Sequence, residues 1–151
     1  MAEGVKVLAT NRKARHEYII EDSFEAGIAL KGTEVKSIRL GKVSFVDAFV
    51  LVKNGECMLY SMHISPYEKG NIQNDDPVRT RKLLLHKREI LKLDDKINQK
   101  GYAIIPLKFY LKRGLVKIEI GIGKGKKLYD KRYSDKERDV KRKMDKALRQ
   151  Y

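Results

Sequence analysis

Between residues 107 and 122 the chain alternates apolar and polar side chains on both sides of one break. Leu107, Phe109 and Leu111 are separated by Lys108, Tyr110 and Lys112, and after Gly114 come Val116, Ile118, Ile120 and Ile122. A period of two sends successive side chains to opposite faces, so this segment can bury one face only as two antiparallel strands. A second hairpin is marked by Asn54-Gly55 between residues 45–53 and 56–64, because a type I′ turn needs positive φ at both central positions. Residues 17–20 and 26–30 add strand material, for at least five strands in all. Two stretches read as helix. Thr33 is placed to N-cap residues 34–40, with Gly41 as the stop. From about Arg79 to Lys100, Leu83, Leu84, Ile90, Leu91 and Ile97 recur at helical spacing before Gly101. Short antiparallel strands with helices in the connections predict a mainly β protein, best matched by an OB-type antiparallel barrel.

Charge bounds the partners. The 151 residues hold 34 Lys and Arg against 20 Asp and Glu, a net charge of +14. Residues 1–129 carry 25 basic and 15 acidic groups, and residues 130–151 carry 9 and 5, so a +10 body precedes a +4 tail. The tail's strong apolar residues are Tyr133, Val140, Met144, Leu148 and Tyr151, too few for a core, which sets a boundary near Tyr129. Val140, Met144, Ala147, Leu148 and Tyr151 nevertheless form one helical stripe. Such a helix is marginal alone in water and is expected to order on a partner; a solvated helix with no partner is the alternative. A polyanion is the first partner to consider for so basic a chain. No run approaches the roughly 18 apolar residues of a membrane span, and the N-terminus does not read as a secretory signal, so the expected compartment is the cytoplasm.

Catalytic and metal chemistry find little support. Cys57 is the only cysteine, and His16, His63 and His86 are scattered, so neither a disulfide, nor a metal site, nor any cofactor is expected. The glycine-rich segment Gly121-Ile122-Gly123-Lys124-Gly125 matches no nucleotide-binding fingerprint. Its glycines read either as a place where another backbone approaches closely or as a flexible, solvated strand exit. Asp75-Asp76 and Asp94-Asp95 read as solvated acids, and Cys57 as a buried, inert thiol. The expectation is a protein that is not an enzyme. Basic clusters say more: Arg12-Lys13-Ala14-Arg15-His16 beside Tyr18, Arg79-Thr80-Arg81-Lys82, and Lys87-Arg88. Guanidinium forks bind phosphates and stack on bases, and Tyr and His offer flat faces to unpaired nucleotides, which suits RNA. A general OB-fold RNA binder associated with ribosomes and a nuclease are the competing readings.

Long collinear motifs then carry a resemblance. Asn11-Arg12-Lys13-Ala14-Arg15-His16-Glu17-Tyr18, Phe24-Glu25-Ala26-Gly27-Ile28 and Gly32-Thr33-Glu34-Val35-Lys36-Ser37-Ile38-Arg39 resemble the N-terminal half of the small protein B (SmpB) family. His63-Ile64-Ser65-Pro66-Tyr67, the segment from Asp76 to Glu89, and Lys124-Gly125-Lys126-Lys127-Leu128-Tyr129-Asp130-Lys131-Arg132 complete it over about residues 11–132. The resemblance implies an OB-type barrel with two to three accessory α-helices and a basic tail, disordered when free and helical on the ribosome. It also implies a monomeric, non-membrane adaptor of bacterial trans-translation. Such an adaptor binds the tRNA-like domain of tmRNA (SsrA RNA), acts with elongation factor Tu and alanyl-tmRNA, and serves stalled ribosomes lacking a codon.

The family's tmRNA-contacting positions map onto Asn11, Tyr18, Glu25, Arg39, Leu84, Lys117 and Gly125, with Phe49 where Tyr is usual, so stacking survives there without a hydroxyl. Arg12, Lys13, Arg15 and His16 join that RNA-binding set. Lys124, Lys126, Lys127, Tyr129, Asp130, Lys131, Arg132, Met144 and Leu148 form the ribosome-facing set. Within it Tyr129 would stack on 16S rRNA near the decoding centre, and Asp130-Lys131-Arg132 would set the tail's path into the empty mRNA channel. Glu25 is an acid on an RNA face. It is sensible there only as an acceptor for base or sugar donors, or as the orienter of a neighbouring Arg; otherwise it is an ordinary strand-surface Glu.

Overall fold

The long alternating segment closes on itself as a hairpin. In the structure, a computed structural model that describes residues 5–67 and 76–126, Tyr102–Lys112 and Leu115–Gly125 pair antiparallel around Arg113-Gly114. Both turn residues take positive φ, 53° and 76°, and Asn54-Gly55 does the same at 52° and 75°, as a type I′ turn requires. The elements in chain order are β1 (Val5–Thr10), α1 (Ala14–Glu17), β2 (Tyr18–Ile28), α2 (Gly32–Arg39), β3 (Val43–Ser44) and β4 (Phe49–Lys53). They continue as β5 (Glu56–Tyr60), β6 (His63–Ile64), β7 (Arg81–Leu84), α3 (Lys87–Ile97), β8 (Tyr102–Lys112) and β9 (Leu115–Gly125).

The main sheet runs β1-β8-β4-β5-β7-β2-β9, and the pairing of β8 with β9 brings its ends together. Six strands therefore form a closed antiparallel ring, with β1 sharing the far edge of β8, and no long barrel edge is left to template aggregation. This is the OB-type barrel architecture expected. Its interior is filled by Ile118, Ile120 and Ile122 of β9, Ile104 and Phe109 of β8, and Val50, Leu59 and Leu83. α2 and α3 each send one fully buried side chain, Ile38 and Leu93, into the same core. Each such apolar side chain stabilises the fold by roughly 1.5–3 kcal/mol on burial.

Several boundaries differ from expectation, each for a local reason. The helix expected from about residue 79 is two elements, because residues 81–84 alternate: Arg81 and Leu83 point inward, Lys82 and Leu84 outward. Leu83 pairs with Cys57 of β5 and Ile28 of β2, so the ring could not close without this strand, and the ladder overrides the helical spacing. α3 begins only after His86, where His86 and Glu89 form a capping box. α2 is capped in the same way by Lys31 and Glu34 rather than by Thr33. Residues 17–20 and 26–30 belong largely to one strand, β2, with an irregularity between Ile20 and Asp22. Asp47 and Ser61 take φ of 62° and 59°, which delays the start of β4 to Phe49 and separates β6 from β5.

Leu107 and Phe109 do not share a face. The β8–β9 register shifts between Pro106 and Lys108, leaving Leu107 out of the ladder. Phe109 enters the main core, whereas Leu107 joins Ala14 and Ile105 in a small cluster outside the barrel, with Tyr18 and Ile20 packed against it. Gly121 and Gly123 lie on that outer wall and are buried, not a solvated strand exit. A Cβ on Gly123 would stand 2.9 Å from the Ile19 carbonyl oxygen, and one on Gly121 the same distance from Leu107 Cδ1. The close-approach reading of these glycines is the correct one.

Candidate nucleic-acid interface

The outer cluster positions the first set of candidate residues. Where β1 ends, the Asn11 backbone N–H donates to the Leu107 carbonyl at 2.7 Å and its side-chain Nδ2–H to the Pro106 carbonyl at 2.8 Å. Asn11 is thereby fastened to the irregular stretch of β8. α1 follows at once and buries Ala14 against Ile105 and Leu107, which leaves Arg12, Lys13, Arg15 and His16 exposed around it. A one-turn helix cannot stand without such packing, and no sequence signal foretold it. Asn11, Arg12, Lys13, Tyr18 and Phe49 line one groove of about 720 Å³. Phe49 is 38% exposed and stacks on Tyr60, the centroids 5.3 Å apart and the planes 12° from parallel. Gly125 is the register partner of Tyr18, and Lys126 Nζ donates to the Arg15 carbonyl at 2.8 Å. Lys124 lies over the ring of Tyr102 at 5.2 Å, with Lys96 over the same ring at 4.8 Å.

A second cleft, of about 660 Å³, gathers Glu25, Leu84 and Lys117 from three different strands. Gly27 pairs with Leu84 on one side and Lys117 on the other. A Cβ there would lie 3.2 Å from Leu84 Cβ, so the glycine lets Leu84 lean across β2 while staying 54% exposed. Glu25 follows on the same face of β2. Its carboxylate accepts from the Tyr110 hydroxyl and from Lys112 Nζ, the latter at 3.3 Å on Oε2. The Tyr110 hydrogen bond foremost, with Lys112 and Lys117, holds the Glu25 carboxyl below its ordinary range. Tyr110 is itself 7% exposed, and burial with the nearby carboxylate pushes its hydroxyl well above the usual tyrosine value.

Not every expected residue joins these sets. Arg39 is exposed on the last turn of α2 and lines neither groove. The cluster at residues 79–82 is no free cationic face. Arg81 is 1% exposed, donating to Glu34 Oε2 at 2.7 Å, to the Met62 carbonyl at 2.6 Å and to the Pro77 carbonyl at 3.0 Å. Arg79 also bonds Glu34, and Lys82 pairs with Glu56 at 3.3 Å. Cys57 is fully buried, and desolvation pushes its thiol up to about 12. No group of three or more His, Cys, Asp or Glu among the described residues could hold a metal ion. Nor is any helix among them long and apolar enough to cross a membrane. Lys127, Tyr129, Asp130, Lys131, Arg132, Met144 and Leu148, like the proposed boundary near 129, lie outside the described residues. Tyr60, Tyr110 and Lys112 were missed as candidates. Only the alternation that turns Tyr110 and Lys112 outward hinted at the last two, since their partner Glu25 is more than eighty residues away.

Among the described residues no carboxylate pairs with Arg12, Lys13, Arg15 or Arg39, although each of the ion pairs that do form engages a cation elsewhere. A closed barrel with unpaired cations, an exposed stacked ring and a carboxylate-bearing cleft on its wall is the build of a small nucleic-acid-binding barrel. The chain belongs to the SmpB protein family, whose model matches residues 8–150. It is 60% identical over 149 residues to the SsrA-binding protein of Alkaliphilus oremlandii, covering 99% of this chain and 96% of that one. It is likewise 60% identical over 147 residues to that of Caldicellulosiruptor bescii, covering 97% and 93%, and 56% identical to that of Geobacter metallireducens, covering 97% and 96%. A solved structure described as "tmRNA-SmpB: a journey to the center of the bacterial ribosome" superposes with a TM-score of 0.72 at 51% identity, covering 91% of this chain and 94% of that chain.

Proposed function

We propose that this protein is an RNA-binding adaptor of trans-translation that binds the tRNA-like domain of tmRNA and delivers it to stalled ribosomes. The observation that carries the reading is the coincidence of full-length membership of the SmpB family with a barrel wall bearing unpaired cations beside flat, accessible rings. Arg12, Lys13 and Arg15 supply salt-sensitive attraction to phosphates, Tyr18 and Phe49 supply stacking faces, and Glu25, Leu84 and Lys117 supply a second contact. In this reading residues 1–129 are the RNA-binding domain. Residues 130–151, with Tyr129 and Lys124 to Lys127 at their root, serve the decoding centre and the empty mRNA channel. No catalytic step is assigned to the protein; peptide tagging is the work of the ribosome and of alanyl-tmRNA delivered with elongation factor Tu. Work on ribosomes places it in the bacterial cytoplasm.

The test is binding to the tRNA-like domain at two salt concentrations, with ordinary tRNA and an unrelated hairpin as competitors. Preference for the tRNA-like domain that persists at the higher salt is expected. Equal binding to all three RNAs that vanishes with salt would leave only a general RNA-binding barrel. For the division of labour, a chain truncated after Leu128 should bind tmRNA nearly as well as the full chain yet give no peptide tagging on stalled ribosomes. Tagging by the truncated chain would end the role given to the tail.

A further inference from the structure

The Glu25 cleft has a more specific chemistry than a cationic RNA surface needs. A carboxylate on a face that meets a polyanion costs binding energy unless it accepts hydrogen bonds from the ligand. Glu25 is built to stay ionised there and to stay aimed: the buried Tyr110 hydroxyl and Lys112 both donate to it, and neither residue lines the cleft. These occupy two of the roughly four lone-pair positions of a carboxylate and leave the others open. The other carboxylates lining the cleft are engaged otherwise, Glu56 with Lys82 and Glu89 with the backbone N–H of His86. Leu84 gives an exposed apolar shelf beside Glu25, and Lys117 stands next to Gly27 in register, within the same cleft.

An apolar shelf, a pair of acceptor oxygens in one plane and a neighbouring cation match a nucleotide whose base edge is rich in donors. Guanine alone presents two adjacent donors, N1–H and the 2-amino group, on its Watson–Crick edge. Adenine and cytosine set an acceptor beside their donor, and uracil flanks its donor with two acceptors that a carboxylate repels. An unpaired base can present that edge; a paired one cannot. We propose that the cleft of Glu25, Gly27, Leu84 and Lys117 receives one unpaired guanine of the bound RNA, with Glu25 accepting from N1–H and the 2-amino group. The guanine ring rests on Leu84, its phosphate faces Lys117, and Tyr110 is the positioning residue that holds the carboxylate. This rests on the RNA-binding reading and names what one part of that surface selects.

The probe is the tRNA-like domain of tmRNA with each unpaired guanosine replaced in turn by inosine, which keeps N1–H and loses the 2-amino donor. At one position inosine should weaken binding to the unaltered protein by about tenfold. Glu25→Gln should weaken binding to the unaltered RNA by a similar factor and add little on the inosine-bearing RNA, because both changes remove the same contact. Tyr110→Phe should keep the guanine preference near neutral pH but lose it, as pH falls, at a higher pH than the unaltered protein does. A merely structural tyrosine would not produce that change. Thermal melting of both variants separates this from misfolding. The proposal is overturned if no inosine position weakens binding, or if the Glu25→Gln and inosine losses multiply as independent effects. Failure of the underlying reading is distinct: the unaltered protein would then not prefer the tRNA-like domain over the hairpin at all.

Discussion

Two carboxylates in this protein each collect hydrogen bonds from more than one cationic or hydroxyl donor, and burial separates what they do. Glu34 is buried under Arg79 and Arg81, with Arg81 bonded further to the Met62 and Pro77 carbonyls, so every donor is turned inward. Glu25 is held by Tyr110 and Lys112 yet keeps a side chain 39% exposed on the floor of a cleft. The first set closes on itself and ties residues 62 and 77, at the two ends of the connection between β6 and β7, to α2. The second faces outward and has acceptor capacity to offer a ligand. A cluster of charge is structural when its donors and acceptors are exhausted among themselves, and available for binding when they are not.

The largest effect should come from breaking the closed set. Arg81→Met leaves Glu34 a partly unpaired buried anion and should cost about 3–5 kcal/mol of stability, read by denaturant unfolding, with RNA binding by the folded fraction unchanged. A loss below 1 kcal/mol would mean that the set is not closed. In the open set, Glu25→Ala should lower affinity for the tRNA-like domain by about tenfold while hardly moving stability or the salt slope. Plain electrostatics predicts tighter binding when an anion leaves such a face, so the sign alone decides. Lys117→Ala should instead lower the salt slope by about one.

Acid sharpens the contrast. Both carboxyls lie below their ordinary value of 4.5, Glu34 against its desolvation through Arg79, the Lys31 backbone N–H and Arg81, and Glu25 through Tyr110 first. A depressed carboxyl contributes stability that is complete above the unfolded value and is lost as pH falls through the folded one. Unfolding free energy should therefore be flat near neutrality and decline below about pH 4.5, more shallowly in Glu34→Gln. The smallest effect belongs to the exposed Lys82–Glu56 pair, both side chains about half in water, where Glu56→Gln should change stability by less than about 1 kcal/mol.

The sequence alone determined the hairpins, the mainly β class and the basic wall, because these follow from local rules. A period of two, turns that need positive φ and a surplus of lysine and arginine can all be read within a few residues. The motifs that resemble the SmpB family also named Asn11, Tyr18, Glu25, Leu84 and Lys117 before any of them had a place. Tertiary structure alone decided three things. Residues 81–84 became a strand because the ring needed β7 between β5 and β2, although their leucines fit a helix equally well. The arginines at 79 and 81 were withdrawn from the RNA face, because Glu34 and two carbonyls, distant in the chain, lay where they turned inward. Glu25 acquired its clamp from Tyr110 and Lys112, more than eighty residues on, through a register that only the closed barrel sets. Patterning along the chain specifies which faces are apolar; which charges meet, and whether anything is left over for a ligand, depends on contacts between strands that no local window contains.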